Sequence, residues 1–301
     1  MKVLFTTDGS PEASDAAAAA CGLLNLGDIE ADAVCVVPEY LPAACGWNES
    51  RVRERYMERM EAETNRILSC LVSSLAVSGV PANPLVEQGS PAGSIVELAA
   101  GYDLVVLGAS GKRHASHVRI GAVANQVASH APCSVLIGRP TLRTNGPHIL
   151  AAVDASMASR RAMMELPRFV AVDSAEITLM HVIETPWLHL GLEQEWFGYE
   201  DPEHEQLDPD SRWRRRLCTQ AERIIERARD ALASPHAGVE RKIVEGLPVR
   251  EILGEAEVGD HDLVVVGATG ATDLKHQVLG SVSLDLAANA QCSVLIVRSP
   301  R

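Results

Sequence analysis

Aromatic residues are scarce, with three Phe, four Tyr and four Trp making up 4% of 301 residues. A core organised around stacked rings is thereby excluded, and the 47% hydrophobic fraction has to pack largely as aliphatic side chains. There is no C-x-x-C pair. The seven cysteines (Cys21, Cys35, Cys45, Cys70, Cys133, Cys218 and Cys292) are scattered and odd in number, which suits reduced thiols in a cytoplasmic protein better than a disulfide framework. No apolar run reaches the ~18 residues of a membrane span, and the opening MKVLFTTDGS lacks the apolar centre of a signal peptide. Basic residues are outnumbered 27 to 40, and the net charge of −13 repels nucleic acid and anionic lipid. A small anion remains admissible, because backbone amides hold phosphate locally even on an acidic protein.

What the sequence does have is an internal repeat. Lys2-Val-Leu-Phe-Thr-Thr-Asp8-Gly-Ser10 matches His148-Ile-Leu-Ala-Ala-Val-Asp154-Ala-Ser156. Asp103-Leu-Val-Val-Leu-Gly108-Ala-Ser-Gly111 matches Asp262-Leu-Val-Val-Val-Gly267-Ala-Thr-Gly270, and Cys133-Ser-Val-Leu-Ile matches Cys292-Ser-Val-Leu-Ile. The offset grows from 146 at Asp8 and Asp154 to 159 at Gly108 and Gly267, so the second copy carries 13 extra residues, which the stretch Trp187 to Asp210 accommodates. The expected division is a first domain over 1–140, a linker over 141–147 with its Asn-Gly-Pro turn signal, and a second domain over 148–301.

Each copy alternates strand and helix signals, the mark of an α/β fold with helices on both faces of a parallel sheet. Strands are expected near 2–7, 31–37, 83–88, 103–108 and 133–138, and again near 148–153, 176–183, 239–245, 262–267 and 292–297. Leu104-Val-Val-Leu and Leu263-Val-Val-Val are apolar on both faces, as buried parallel strands require. Val52, Tyr56, Met60, Ile67, Leu71 and Leu75 recur at helical spacing, as do Trp213, Leu217, Ala221, Ile224, Ala228 and Ala231, and both stripes read as core. Ser10-Pro11 and Ser90-Pro91 each set a capping hydroxyl before a proline suited to the first helical position.

The chemistry gathers after the fourth strand of each copy. Gly267-x-x-Gly270 is followed, after nine residues, by Gly280-Ser281-Val282-Ser283, and the first copy reads Gly108-x-x-Gly111, nine residues, then Gly121-Ala122-Val123-Ala124. Open α/β sheets bind ligands at the carboxyl ends of their strands, and glycine permits close backbone approach there. The segment from Ser281 reads as a helix whose N-terminal amides and hydroxyls form a triphosphate cradle; the bland alternative is that both serines merely cap the helix. The spacing is not a P-loop, not a nucleophile elbow, and not the G-x-G-x-x-G of a dinucleotide fold.

These paired motifs, with the V-D-G-S-like start, resemble the ATP-binding signature of the universal stress proteins in their tandem form. The resemblance implies two Rossmann-like domains, each a five-stranded parallel sheet of flavodoxin-like order. It also implies edge strands, Ser134–Ile137 and Ser293–Ile296, pairing across a dimer-like interface that tandem copies satisfy within one chain as a pseudo-dimer, with homodimerisation open. Carried over by position, Asp154 holds adenine with main-chain help from Val182, Gly267 and Gly270 pass ribose and phosphate, and Gly280, Ser281, Val282 and Ser283 grip the phosphates, with Mg2+ accompanying them. The first-domain counterparts are Asp8, Val36, Gly108, Gly111 and Gly121. Asp8 and Asp154 also fit a reading as turn formers at strand ends. Ala122 and Ala124 stand where hydroxyls are expected, so the second site is expected to be the better one, with Lys112 and Arg113 either restoring some affinity or lying on ordinary surface.

His114 and His117 lack a third metal ligand and read as surface. The acidic stretch Glu193 to Asp210, followed by Arg212 and Arg214–Arg216, reads as a solvated loop or a partner surface. No catalytic base or nucleophile stands out beside the glycines, so the leading expectation is an ATP-binding stress-response regulator with at most slow hydrolysis. Its alternatives are a nucleotide-independent dimerisation or partner-binding module and a true ATPase or nucleotidyl transferase of related fold.

Overall fold

A computed structural model describes residues 1–38, 50–111, 120–140, 146–184, 209–232, 238–270 and 279–298, with the side chains of 50–53 and 209–212 outside the description. In the first half the order is β1 (Lys2–Thr6), α1 (Pro11–Leu23), β2 (Glu30–Val37), α2 (Ser50–Val77), β3 (Ala82–Gln88), α3 (Pro91–Leu98), β4 (Leu104–Gly108), α4 (Ala122–His130) and β5 (Ser134–Gly138). The second half repeats it as β6 (His148–Ala152), α5 (Met157–Phe169), β7 (Glu176–Ile183), α6 (Pro209–Ala231), β8 (Val239–Glu245), α7 (Pro248–Val258), β9 (Leu263–Gly267), α8 (Ser281–Asn289) and β10 (Ser293–Val297). Every expected strand is present, because the apolar runs that mark them are too short for helices and are bounded by turn residues.

The strands form one ten-stranded sheet in the order β3-β2-β1-β4-β5-β10-β9-β6-β7-β8. Each half is therefore a Rossmann-like 3-2-1-4-5 sheet; the 2-1-3-4-5 flavodoxin order is corrected, since β3 lies at the edge outside β2 and not between β1 and β4, which pair directly. Register preserves the duplication, with Val3 opposite Leu104 in one half and Ile149 opposite Leu263 in the other. The halves join through antiparallel pairing of β5 and β10, with Leu295 opposite Leu136 and Val294 opposite Ile137. Both strands are fully buried at the centre of the sheet, so neither leaves an open edge.

Two apolar layers run through both halves. Val3, Phe5, Leu104, Ile149, Leu263 and Leu295 face α1, α2, α5 and α6, whereas Leu4, Val105, Leu150, Val264 and Ile296 face α3, α4, α7 and α8. Ser10 accepts the N–H of Ala13 at 3.2 Å and Ser156 that of Ser159 at 3.0 Å, so both first-turn caps form. Ser90 precedes α3 without making a side-chain cap bond, so only the proline half of that expectation holds.

The β5–β10 seam carries a reciprocal clamp. Arg139, just beyond β5, donates to the carbonyls of Ala287 at 2.6 Å and Cys292 at 3.3 Å, at the C-terminal end of α8. Its repeat equivalent Arg298 donates to Ala128 and Ala131, both at 2.7 Å, at the end of α4. Each half thus neutralises the partial negative charge at the end of the other's last helix. Burial pushes both guanidinium pKa values down from their usual range, and pushes the neighbouring Cys133 and Cys292 thiols up to about 11.

Candidate functional site

Strand order reverses between β1 and β4 in one half and between β6 and β9 in the other, and a crevice opens at the carboxyl ends of such strands. In the second half it is a cleft of about 340 Å³. Asp154, Val182, Gly267, Gly270, Gly280, Ser281, Val282 and Ser283, all singled out by the sequence, line it together. A wider depression of about 730 Å³ lies at the opposite end of the first half, beside Lys2, Asp32, Asn83 and Tyr102. There Tyr102 and Asn83 both donate to Asp32, at 2.7 and 3.0 Å, and partial burial with the Asp32 bond pushes the half-buried phenol up to about 12; the polar groups of the depression satisfy one another and present no convergent set.

The floor of the cleft is backbone. Gly280 donates its N–H to the Ala268 carbonyl at 2.8 Å, which sets the start of α8 beside the end of β9. Gly280 supplies no side-chain cap, and the first intrahelical bond runs from Leu284 to Gly280 at 3.0 Å, so the amides of Ser281, Val282 and Ser283 precede it with no acceptor among the described residues. Such an end draws an anion. Gly121 repeats the arrangement at 2.7 Å from Ala109, ahead of α4.

The two serines differ in circumstance. Ser281 is exposed at the first helical position, while Ser283 is buried and donates its hydroxyl proton to the Gly267 carbonyl at 2.7 Å. Ser283 therefore braces α8 against β9. Gly267 also has a packing reason of its own: a Cβ there would fall 2.8 Å from backbone atoms of Ala158 and Ser159, in the first turn of α5. Gly108 meets the first turn of α1 in the same way, 2.9 Å from the Glu12 carbonyl oxygen.

Asp154 closes a turn after β6, its Oδ1 accepting the Ser156 N–H at 2.9 Å, and Asp8 does the same for Ser10 at 2.9 Å. The turn-forming role is present in both halves. Asp154 Oδ2 lies 3.4 Å from the position of a Cβ on Gly270, and Asp8 stands closer still to that point on Gly111. Asp8 is exposed and Val36 half-buried.

The opposite wall was not read from the sequence as part of a site. Val153, Met180, Leu217, Ile224, Pro248 and Ile252 make it apolar, and His181 and Gln220 add polar groups. Leu217 and Ile224 belong to the α6 stripe read as core, and Trp213 at its start is exposed. Helical spacing alone does not distinguish a face that packs from one that borders a cleft. His181 had a visible signal, being the polar residue near the end of the apolar run Ile177-Thr-Leu-Met-His-Val-Ile183. Lys112, Arg113, His114 and His117 lie outside the described residues, as do Trp187 to Asp208. Among the described residues no group of three or more His, Cys, Asp or Glu is placed to hold a metal ion, and no helix is long and apolar enough to cross a membrane.

Fold and cleft define a class: a duplicated α/β protein with a cleft at the carboxyl rim of its sheet. The chain belongs to the universal stress protein family, whose family model matches residues 1–139 and 147–298. Universal stress protein MJ0531 of Methanocaldococcus jannaschii is 41% identical over 63 residues, a stretch covering 21% of this chain and 37% of that protein. Universal stress protein YxiE of Bacillus subtilis is 29% identical over 156 residues, covering 50% of this chain and 97% of that one. Among solved structures, a universal stress protein from Archaeoglobus fulgidus shares the fold at a TM-score of 0.63 and 18% identity, over 99% of this chain and 98% of that one.

Proposed function

We propose that the second half binds ATP and that the protein acts as a nucleotide-dependent stress-response regulator. The supporting observation is the division of the cleft: an apolar slot bounded by Val153, Met180, Val182 and Ile224 suits a nucleobase, and the uncapped start of α8 suits phosphates. In this reading Asp154 and Val182 border the base, Gly270 lets ribose pass, and the amides of Ser281 to Ser283 with the Ser281 hydroxyl hold the phosphates. Magnesium carried by the triphosphate would supply charge neutralisation there. With no base or nucleophile assigned beside the phosphate end, hydrolysis is slow at most.

The first half keeps the backbone part of the cradle around Gly108, Gly111 and Gly121 but carries Ala122 in place of Ser281, which favours the second site. Calorimetric titration of the full chain with MgATP tests this. The expected result is one site per chain that is stronger than any second by roughly tenfold or more. Absence of binding, together with no nucleotide released from the purified protein on heating, refutes the reading; two equal sites refute the ranking.

A further inference from the structure

His181 stands in the cleft wall near the end of β7, half-buried, between Met180 and Val182. Its Nδ1 lies 2.7 Å from the Val153 carbonyl oxygen. A carbonyl only accepts, so Nδ1 carries the hydrogen, and the neutral ring then keeps its lone pair on Nε2. That atom makes no hydrogen bond with any described residue. The backbone after β6 has thus fixed the tautomer and left one acceptor on His181, next to the apolar Val153, Met180 and Ile224 of the same wall.

We infer that His181 is a specificity-determining residue that accepts a hydrogen bond from the 6-amino group of a purine and disfavours a 6-oxo purine. The inference rests on the nucleotide reading above. A 6-amino base donates to Nε2, whereas a 6-oxo base sets a second acceptor against it beside Val153, Met180 and Ile224. Gln220 carries both donor and acceptor, Asp154 Oδ1 is committed to the Ser156 amide, and Glu184 is exposed beyond the strand end. In the first half Cys35, buried, takes the position of His181, and a thiol is a weak acceptor.

The test compares ATP with inosine triphosphate, which differ at that position of the base, by calorimetry on the full chain with magnesium at about pH 8. The wild-type protein is expected to bind ATP roughly 5- to 100-fold more tightly. His181→Phe, which keeps a ring without an acceptor, and His181→Cys, which installs the residue the first half already accommodates, are each expected to bring the ratio to within about threefold. Thermal melts establish that the variants are folded. A folded variant that retains the full preference, or a wild-type protein that binds both nucleotides equally, overturns the inference and leaves the nucleotide reading standing. A wild-type protein that binds neither overturns both.

Discussion

Replacing Arg139 by methionine separates the clamp from the seam it spans. The thioether chain fills most of the volume of the arginine stem, so the change removes chiefly the guanidinium and its bonds to Ala287 at 2.6 Å and Cys292 at 3.3 Å. Hydrogen bonds to charged groups contribute about 1.5–3 kcal/mol each, and a cation at a helix C-terminus up to ~2 kcal/mol. Against these stands the desolvation of a buried cation, which pushes its pKa down and which no carboxylate offsets. The expected net loss is about 1–3 kcal/mol. With a denaturant slope of about 3 kcal/mol per molar urea, the midpoint falls by roughly 0.3–1 M. Arg139 docks beside Ser293 and Arg298 beside Ser134, at opposite ends of the β5–β10 pair. At ~3.3 Å per residue these ends are about 16 Å apart, far enough for the two losses to add in the double Arg139→Met, Arg298→Met variant. Urea unfolding followed by circular dichroism reads each midpoint. A single variant with an unchanged or raised midpoint refutes the reasoning, since desolvation then outweighs the bonds.

The two serines of α8 should respond differently to alanine. Ser281→Ala weakens ATP binding by roughly tenfold with little effect on the melt, while Ser283→Ala removes the buried bond to Gly267 and lowers stability by about 1 kcal/mol, as calorimetry and thermal denaturation together show. His261 supplies a pH dependence. It is buried, with Nδ1 lacking a partner, and burial lowers its pKa more than the nearby Glu255 raises it. The unfolded imidazole, near 6.5, therefore takes up its proton before the folded one does, so the contribution is present above about pH 6.5 and is lost as pH falls below it. His261→Leu should flatten the acid limb of the midpoint-versus-pH curve relative to wild type.

Most of the strand positions were legible because buried parallel strands leave short apolar runs and the duplication reports each of them twice. Strand order was not, since 3-2-1-4-5 and 2-1-3-4-5 arise from the same alternation of strands and helices and differ only in where β3 lands. At the site, glycine spacing located the rim of the sheet but left the reasons for individual glycines open. Gly267 admits the first turn of α5 as well as bordering the cleft, and a close helix needs the same absence of a side chain as a close ligand. Ser281 and Ser283 look alike in sequence, and only the turn of the helix sends one outward and the other to the Gly267 carbonyl. The α6 wall stayed hidden because Leu217 falls on the period of the core residues Ala221, Ile224 and Ala228, of which Ile224 also borders the cleft.

The two halves have kept their backbone devices and changed their side chains. The Gly121 and Gly280 tethers, the Asp8 and Asp154 turns and the Arg139 and Arg298 clamps recur as pairs. Ser281 faces Ala122, Ser283 faces Ala124 and His181 faces Cys35 across the repeat. Devices that hold the sheet together need both copies, because each arginine completes the helix of the opposite half and β5 and β10 each cover the other's edge. Side chains at the rim are under no such mutual constraint, so one rim can lose hydroxyls and an imidazole without weakening the seam. The helix that starts at the candidate phosphate site is the one Arg139 caps from the other half, and the cleft of the second half thus draws part of its support from the first.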